Sequence, residues 1–458
     1  MLKIAYKNKS NKILNIAPTR LIVVSFAIVI ITGTILLMMP FASRSGQSTG
    51  LINSIFTATS ATCVAGLVVV DTFNHWTLFG QLVIIILIQT GGLGIITLAT
   101  FFTAVFGRKL GLKGMLLAQE SISHFSYQGI LKIVRNVVLT TFVIEAAGAL
   151  LLSISFVPKF GPVGLYLGVF QSISAFCNAG FDLMGIMGKG DFVSLTAFNY
   201  DPLVIYTLSL LIIIGGLGFI VWRDIIEYRK NRSLLLHTKV VLFITGSLII
   251  SGAVLFFLFE SGNPASMGSL NLFGKINASF FQSVTPRTAG FSSVPLGGMK
   301  DITKVLHTIL MFIGAAPGST GGGIKVTTFG VLLFAVISQI KGSEETLIFK
   351  TRIPSHIVTK ALAIIGLSGI LVLTVTTIIL AIENKPFIDV LYEVTSAFGT
   401  VGLSTGITPT LHSASKLLLI ITMFLGRVGP LTFAIALTLK RAKKANDIIF
   451  PEGKIVVG

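Results

Sequence analysis

Four short segments of the sequence are polar and end on glycine, although each lies in an otherwise apolar region. They read TATSATCVAG, QSISAFCNAG, QSVTPRTAG and TSAFGTVG, and they end at Gly66, Gly180, Gly290 and Gly402, about 110 residues apart. A cation that leaves water for a low-dielectric membrane needs oxygen ligands, which rings of backbone carbonyls supply. Glycine tolerates the backbone conformations that turn carbonyls toward one axis. The segments therefore predict one cation filter built from four loops.

The predicted filter includes the residues just before each glycine. Its members are Val64, Ala65, Gly66, Asn178, Ala179, Gly180, Thr288, Ala289, Gly290, Thr400, Val401 and Gly402. The competing interpretation is that the glycines only let helices pack closely, as small residues do in membranes. Polar neighbours such as Ser60, Ser174 and Thr285 favour the filter, because close packing does not require them.

The elements that position these loops repeat as well. An aromatic residue stands ten positions before each glycine, at Phe56, Phe170, Phe280 and Tyr392. Each unit has a long apolar span, a half-length segment of about 12 residues, the glycine motif and a second span. Half-length segments cannot cross a bilayer and are typical of re-entrant pore helices. The predicted fold is an all-α membrane protein with four parallel repeats, eight transmembrane helices and four pore helices around one pore.

Composition and charge support a membrane protein. Hydrophobic residues make up 53% of the 458 residues and charged residues only 11%. The runs Leu21–Met39 and Leu203–Trp222 are long enough to span a bilayer as single helices. The net charge of +18 arises from clusters at 3–20, 108–113, 223–239, 341–360 and 440–444. Because basic residues beside spans mark the cytoplasmic side, they indicate topology rather than nucleic-acid binding.

The positions of these clusters predict the domain organisation. Each repeat begins and ends in the cytoplasm, so the repeats are parallel, unlike the inverted repeats of many solute transporters. The predicted units are a cytoplasmic segment (1–20), repeats 1 to 4 (21–107, 108–230, 231–340 and 341–444) and a cytoplasmic tail (445–458). Repeat 2 includes the cytoplasmic loop that precedes it. The first apolar stretch is too long for a signal-peptide core and is predicted to be a retained helix.

A glycine-rich loop over 314–328 interrupts the second span of repeat 3. Its sequence GAAPGSTGGGIK combines consecutive glycines with a proline, so the helix should break there. Broken backbone survives at membrane depth where it lines a cavity. That this loop is a gate is implied by a family resemblance that rests on the motifs quoted below. The candidate gate residues are Gly314, Pro317, Gly318, Ser319, Thr320, Gly321, Gly322, Gly323 and Lys325. The alternative is a kink that serves packing alone.

Arg427 is the second candidate gate residue, about midway through the last predicted span. An arginine at that depth is costly and should face a water-filled or protein interior. On the pore axis it would repel cations, or pair with a carboxylate when the path opens. The alternative is snorkelling to the interface. The sequence thus predicts a break in the third repeat only and an intramembrane arginine in the fourth only.

Other polar residues leave alternatives open. Asp182 and Glu393 either enrich cations near the loops or form local hydrogen bonds. Cys63 and Cys177 are interpreted as free, packed thiols, although a bridge is possible. The GGLG runs at 91–94 and 215–218 lie inside predicted spans, which excludes a dinucleotide site. The sequence contains no nucleophile, base and orienter set and no zinc motif, so an enzyme is not predicted.

The chain resembles the pore-forming membrane subunit of the Trk/Ktr/HKT potassium transporter superfamily, closest to the bacterial Ktr type. The resemblance includes the four glycine motifs, IQTGGLGIITLA (88–99), LLHTK (235–239), TPRTAGF (285–291) and MFLGRVGPLTF (423–433). It implies a monomer that mimics a tetrameric potassium channel, a homodimer and a cytosolic nucleotide-binding ring of regulatory subunits. In plant relatives a serine at the first filter glycine accompanies sodium permeation, so Gly66 favours potassium. Ala65 departs from the threonine that relatives often carry.

The predicted function is potassium uptake across the cell membrane, with both termini cytoplasmic and no cofactor in this chain. Potassium is the transported ion, and the sequence leaves open whether sodium accompanies it. One alternative is a sodium-selective or poorly selective cation pathway on the same scaffold. A more distant alternative is a cation-coupled solute symporter.

Overall fold

The computed structural model describes residues 18–95, 97–98, 130–188, 190–343 and 345–429. The basic cluster at 108–113, most of the 1–20 segment, the 445–458 tail and the motif from Pro430 onward lie outside these residues. The described chain is mostly helical. Its helices are α1 (Pro18–Met38), α2 (Leu51–Cys63), α3 (Thr72–His75), α4 (Leu78–Leu93), α5 (Ile130–Phe160), α6 (Val163–Phe176), α7 (Pro202–Leu217), α8 (Phe219–Asn231), α9 (Leu236–Glu260), α10 (Leu272–Val284), α11 (Asp301–Phe312), α12 (Val326–Ile340), α13 (Ser355–Ile382), α14 (Phe387–Gly399) and α15 (Ser413–Val428). A small antiparallel hairpin of β1 (Thr346–Ile348) and β2 (Thr351–Ile353) joins α12 to α13.

Among the described residues, four helices are long and apolar enough to cross a membrane: α1, α5, α9 and α13. The bent pair α7 and α8 makes a fifth if it counts as one span. These long helices keep many large side chains exposed, such as Ile28, Leu150, Ile250 and Ile370. Exposed apolar side chains along a spanning helix are what lipid contact requires.

Each long helix is followed by a short one: α2, α6, α10 and α14, with 13 or 14 residues apiece. The repeated aromatic residue lies in each of them. Phe56, Phe170 and Tyr392 are fully buried, and Phe280 is partly buried. Protein therefore covers the C-terminal half of each short helix, where most of the buried residues lie, as a helix that ends at membrane depth requires.

Among the described helices, three of the second helices of the repeats end on a further glycine. Gly94, Gly218 and Gly429 cap α4, α7 and α15 with φ values of 85°, 90° and 90°. A positive φ leaves the right-handed helical region, and glycine adopts it without a Cβ penalty. At Gly218 the chain turns by 95° into α8.

This break corrects three sequence-based predictions. The run Leu203–Trp222 is not one continuous helix, because it contains nearly all of α7 and the first four residues of α8, with the bend between them. The GGLG runs end helices instead of lying inside them. Repeat 3 is not alone in carrying a broken second helix, because repeat 2 bends sharply as well.

In repeat 3 the break is longer. Helix α11 ends at Phe312, and an irregular stretch continues until α12 begins at Val326. We call residues 313–325 the glycine-rich loop; its predicted end at residue 328 lies three residues inside α12. The backbone amide of Gly314 donates to the Ile324 carbonyl at 2.8 Å, which draws the two ends of the loop together.

Candidate functional site

The four glycines of the repeated motif meet in one closed ring. A Cβ built on each glycine would contact the backbone carbonyl oxygen of the residue before a neighbouring glycine. These contacts are Gly66 with Ala179 at 2.6 Å, Gly180 with Ala289 at 2.8 Å, Gly290 with Val401, and Gly402 with Ala65 at 2.9 Å. The order runs through the four loops and returns to the first. The ring leaves no room for a side chain at any of the four glycines.

The backbone of the ring has the same unusual conformation in all four loops. The residues two positions before the glycines, Val64, Asn178, Thr288 and Thr400, have φ values of 57°, 59°, 69° and 50°. The glycines Gly66, Gly180, Gly290 and Gly402 have φ values of 74°, 71°, 84° and 95°. Left-handed backbone is strained for β-branched residues, and such strain concentrates at functional sites.

Hydrogen bonds to the short helices hold this conformation. The amide of the middle residue of each loop donates back to a helix carbonyl: Ala65 to Ser60 (2.7 Å), Ala179 to Ser174 (2.8 Å), Ala289 to Thr285 (3.0 Å) and Val401 to Ser396 (2.9 Å). Hydroxyl groups support the far side of the loops. Ser174 Oγ donates to the Phe181 carbonyl at 2.6 Å, and Thr285 Oγ1 donates to the Phe291 carbonyl at 2.7 Å. The Ser174 and Thr285 side chains are therefore structural supports of the ring, whereas the buried Ser60 hydroxyl has no hydrogen-bond partner among the described residues.

Four helix ends surround the ring. Helices α2, α6, α10 and α14 each end within a few residues of their glycine. A helix C-terminus carries a partial negative charge of about half a unit. The four helix dipoles therefore make the ring favourable for a cation.

On one side the ring opens into a cavity of about 230 Å³, lined by all four glycines. Its wall contains two carboxylates, Asp71 and Asp182, with the hydroxyls of Ser194, Ser292 and Ser404. Burial, reinforced by the nearby Asp71 carboxylate, raises the pKa of Asp182 to about 6. Sequence reasoning named Asp182 as a residue near the loops but missed Asp71.

Asp71 has no acidic counterpart in the other repeats, so repeat matching did not reveal it. Its carboxylate caps α3 and accepts from the amides of Phe73 (2.9 Å) and Asn74 (2.8 Å). It also accepts from the amide of Phe192 at 3.0 Å, which joins the first repeat to the second. An aspartate directly before a short helical turn was the available signal.

Glu393 forms local hydrogen bonds, which was the alternative to enriching cations near the loops. This buried carboxylate accepts from Ser404 Oγ (2.6 Å), Thr405 N (2.9 Å) and Thr408 Oγ1 (2.6 Å). It therefore fixes the chain that leaves the fourth glycine.

The glycine-rich loop lies against the opposite side of the ring. Thr320 Oγ1 donates to the Phe176 carbonyl and lies 3.2 Å from Asn178 Oδ1. The amide of Gly322 donates to Thr400 Oγ1 at 3.1 Å. A Cβ on Gly321 would lie 3.1 Å from Thr288 Cβ. The loop thus contacts filter candidates from repeats 2, 3 and 4.

Two basic side chains bind carbonyl groups of this loop. Lys325 Nζ donates to the Gly321 carbonyl at 2.7 Å. The Arg427 guanidinium donates to the carbonyls of Thr320 and Gly91, and Gly92 O lies 3.4 Å away. Arg427 lies in the last turn of α15, and the residues that would complete the predicted last span lie outside the described residues. It links the end of repeat 4 to the loop of repeat 3 and to repeat 1.

Both cysteines are buried and free. Cys177 Sγ lies 3.6 Å from Gln89 Oε1 and 3.8 Å from Glu145 Oε1. Sequence reasoning missed Glu145, a lone carboxylate within α5. Within the described ranges no group of three His, Cys, Asp or Glu residues is arranged to hold a metal ion.

These features define a class: an integral membrane protein whose single chain folds four loops around one ring, with an acidic cavity on one side and a basic, glycine-rich closure on the other. The chain belongs to the TrkH cation transport protein family, whose model matches residues 2–447. This membership confirms the resemblance noted from the motifs, and it confirms a transporter rather than an enzyme.

Two curated relatives match over nearly their full length. The chain is 41% identical to Ktr system potassium uptake protein B of Bacillus subtilis, covering 99% of both chains. It is 38% identical to the potassium/sodium uptake protein NtpJ of Enterococcus hirae, covering 97% of this chain and 98% of that one. Among solved structures, the potassium transporter TrkH of Vibrio parahaemolyticus matches with a TM-score of 0.72 and 16% identity, over 95% of this chain and 86% of the other. That structural likeness concerns the fold alone.

Proposed function

We propose that this protein is the pore-forming subunit of a potassium uptake system and that the ring of four glycine loops is its selectivity filter. Potassium enters from the four-glycine cavity and exchanges its water for the backbone carbonyls of residues 64–66, 178–180, 288–290 and 400–402. The observation that carries this proposal is the closed order of contacts from Gly66 through Gly180 and Gly290 to Gly402. Potassium is preferred to sodium because the first filter position is Gly66 and because the Bacillus subtilis relative is named as a potassium uptake protein.

Electrostatics supports entry from the cavity. Asp71 and Asp182 raise the local cation concentration, and the four helix C-termini favour a cation at the ring. The membrane potential drives inward movement with about 2.3 kcal/mol per charge per 100 mV. Residues that bind or hydrolyse a nucleotide are not needed for this step.

The glycine-rich loop and Arg427 form the proposed gate. The loop lies directly behind the ring, where it occupies the path that an ion would follow. The guanidinium of Arg427 and the ammonium of Lys325 add positive charge there, which repels cations. Opening requires the loop to leave the carbonyl groups that hold it.

The proposed topology has eight spans in four parallel repeats, with the four-glycine cavity outside the cell and both termini in the cytoplasm. The basic clusters beside the spans support this orientation. The second helices that the structure describes are shorter than a full span, so this topology requires each of these spans to include residues outside the helix. The protein is proposed to reside in the plasma membrane.

Uptake by reconstituted vesicles tests the proposal. Purified protein is placed in vesicles with an inside-negative potential, and potassium and sodium influx are measured against vesicles without protein. We expect potassium influx to exceed sodium influx. Sodium influx above potassium influx would contradict the choice of ion.

A sodium-conducting or poorly selective pathway is the second candidate. One observation favours it: the Enterococcus hirae relative is named as a potassium/sodium uptake protein. The same vesicles distinguish the candidates, because equal influx of both ions supports the second and not the first.

Two partners are part of the proposal: a second copy of this chain and a cytosolic nucleotide-binding ring of regulatory subunits. Both follow from the family resemblance, and the exposed basic residues Arg229 and Arg232 offer the ring a docking surface. Native mass spectrometry of protein purified gently from its source should detect both. A monomer without a cytosolic partner would contradict them.

A further inference from the structure

The bend between α7 and α8 is joined to the glycine-rich loop by main-chain hydrogen bonds. We call residues 215–219, which include this bend, the cradle. The bonds run from Ala316 N to Gly216 O (3.0 Å), from Thr320 N to Gly215 O (3.3 Å) and from Phe219 N to Gly318 O (2.9 Å). The loop donates two of these hydrogen bonds and the cradle donates the third, so the two backbone segments are paired in both directions. The bend is therefore part of repeat 2 in the sequence, but its hydrogen-bond partners lie in the glycine-rich loop of repeat 3.

The cradle contains glycine where a side chain would separate it from the loop. Gly218 has φ 90° and ψ 149°, and a Cβ there would lie 2.7 Å from the Pro317 carbonyl oxygen. A Cβ on Gly215 would lie 3.0 Å from Thr320 Oγ1 and would also strike the Phe176 carbonyl. Both glycines allow a close approach of backbone to backbone.

Thr320 is the point at which two restraints meet. Its amide donates to the cradle at Gly215, while its carbonyl accepts from Arg427. The loop is thus fixed between the bend of repeat 2 and the last helix of repeat 4. Arg427 alone does not determine its position.

We propose that the cradle is the positioning element of the gate: it holds the glycine-rich loop against the ring, and the pathway opens when the three backbone hydrogen bonds break. Gly215, Gly216, Gly218 and Phe219 are positioning residues that act through the loop. This inference rests on the proposed function, since it assigns a cause to the closed position of the proposed gate.

A proline exchange tests one hydrogen bond. Phe219 is the first residue of α8, a position where proline is tolerated, and Phe219→Pro removes the amide that donates to Gly318. Phe219→Ala is the matched control, because it also removes the ring but keeps the amide. We expect potassium influx through Phe219→Pro to exceed that through Phe219→Ala on the order of fivefold, the effect of losing one hydrogen bond from the closed state.

A reversible crosslink tests the opposite direction. A Cβ on Gly216 would lie 3.8 Å from Ala315 Cβ, close to the usual separation of about 3.8 Å in a disulfide. The double variant Gly216→Cys/Ala315→Cys should form a bridge on oxidation that locks the loop to the cradle. We expect oxidation to reduce potassium influx at least tenfold and dithiothreitol to restore it.

Controls keep the two tests interpretable. The single variants Gly216→Cys and Ala315→Cys show whether oxidant or the native cysteines alter influx without the bridge, and mass spectrometry confirms the crosslink. Unchanged influx through the crosslinked protein overturns the inference, even if Phe219→Pro fails to fold. If the unmodified protein carries no potassium at all, the proposed function fails, and this inference fails with it.

Discussion

At the scale of single residues, the ring places a β-branched side chain in the left-handed region at three of its four equivalent positions: Val64, Thr288 and Thr400. Each such residue costs about 1–3 kcal/mol, so surrounding contacts must over-determine it. Thr400 Oγ1 accepts from Gly322 of the loop, and the Thr288 side chain touches Gly321. Thr288 and Thr400 therefore direct their side chains to the glycine-rich loop, whereas the Val64 side chain lies against Gly91.

Gly66→Ala should abolish most transport. A Cβ there would lie 2.6 Å from the Ala179 carbonyl oxygen, and the φ of 74° adds about 1–2 kcal/mol of strain. We expect potassium influx into vesicles to fall more than tenfold.

Gly406→Ala is the matched control for that substitution. Gly406 lines the same cavity with φ 98°, yet a Cβ there would meet no atom within 4 Å. It should keep most of the influx. Equal influx through both variants would show that the ring does not constrain the ion.

Uptake should depend on external pH through Asp182. Burial and the neighbouring Asp71 carboxylate raise the pKa of Asp182 to about 6, so the group is charged above that pH and neutral below it. We expect potassium influx at low potassium to decline as external pH falls from 7.5 to 5.

Asp182→Asn should remove this decline. At every pH its potassium influx should equal the low value that the unmodified protein shows at pH 5. Asp191→Asn is the control: Asp191 is exposed and accepts from Asn74 Nδ2, but it does not line the cavity. A pH profile that Asp182→Asn leaves unaltered would contradict the role of this carboxylate.

At the scale of elements, periodicity and repeat matching predicted the long helices, the four short helices and the residues that gather at the ring. They did not predict where the second helices end. GGLG at 215–218 is apolar and continuous with the residues around it, so it resembles a packing motif. The break at Gly218 results from contacts with Pro317 and Gly318, about 100 residues away in sequence, which local pattern does not encode.

Arg427→Ala should increase potassium influx on the order of fivefold, because it removes the charge and the hydrogen bond to Thr320 that hold the loop. A deletion within Gly318–Gly323 should also increase potassium influx. Arg352→Ala is the control, since that side chain is 70% exposed and lies in the β-hairpin. Unchanged influx in both the Arg427 variant and the deletion would show that these segments only pack.

The ion pair between α11 and α14 offers a stability test at the same scale. Lys304 Nζ lies 2.9 Å from Asp389 Oδ1, and both side chains are largely buried. Asp389→Asn leaves the largely buried lysine with only the exposed Asp301 carboxylate 3.8 Å away, and it should destabilise the protein by about 3 kcal/mol.

Asp301→Asn provides the comparison on the same lysine. Asp301 lies 3.8 Å from Lys304 and its side chain is 80% exposed, so its loss should cost less than about 0.5 kcal/mol. Thermal unfolding in detergent measures both variants. Equal unfolding temperatures would show that the buried pair does not join the two helices.

At the scale of the whole molecule, the order of the contacts around the ring follows the order of the loops along the chain. The proposed parallel repeats would produce this order, since every repeat would contribute the same elements in the same sense. Sequence spacing predicted that four loops form one ring, because the repeated glycines are marked by polar neighbours, but it did not predict which loops are neighbours. The unequal parts, such as Asp71, Glu145 and the cradle, have no repeat signal and became visible only in three dimensions.

Cysteine labelling tests the parallel arrangement. Ser48, Gly161, Gly262 and Asn384 each lie between the long helix and the short helix of one repeat. Single cysteines at these four positions should all react with a membrane-impermeant maleimide from outside the cell.

A cysteine at Gly342, between α12 and the β-hairpin, is the control and should react only after permeabilisation. Native Cys63 and Cys177 are buried, which keeps the background low. Labelling that alternates between the two sides from repeat to repeat would indicate inverted repeats and favour a solute symporter.

The closure of the ring has a consequence for biosynthesis. Gly66 contacts Gly402, so the first loop lacks one of its neighbours until the fourth repeat has been made. At roughly 5–20 residues per second, that delay lasts about 20 to 70 s. During this time polar backbone at membrane depth has no complete protein surround, which makes the unfinished chain costly to leave in lipid. Translation and insertion of the last repeat therefore set the earliest moment at which the ring can exist.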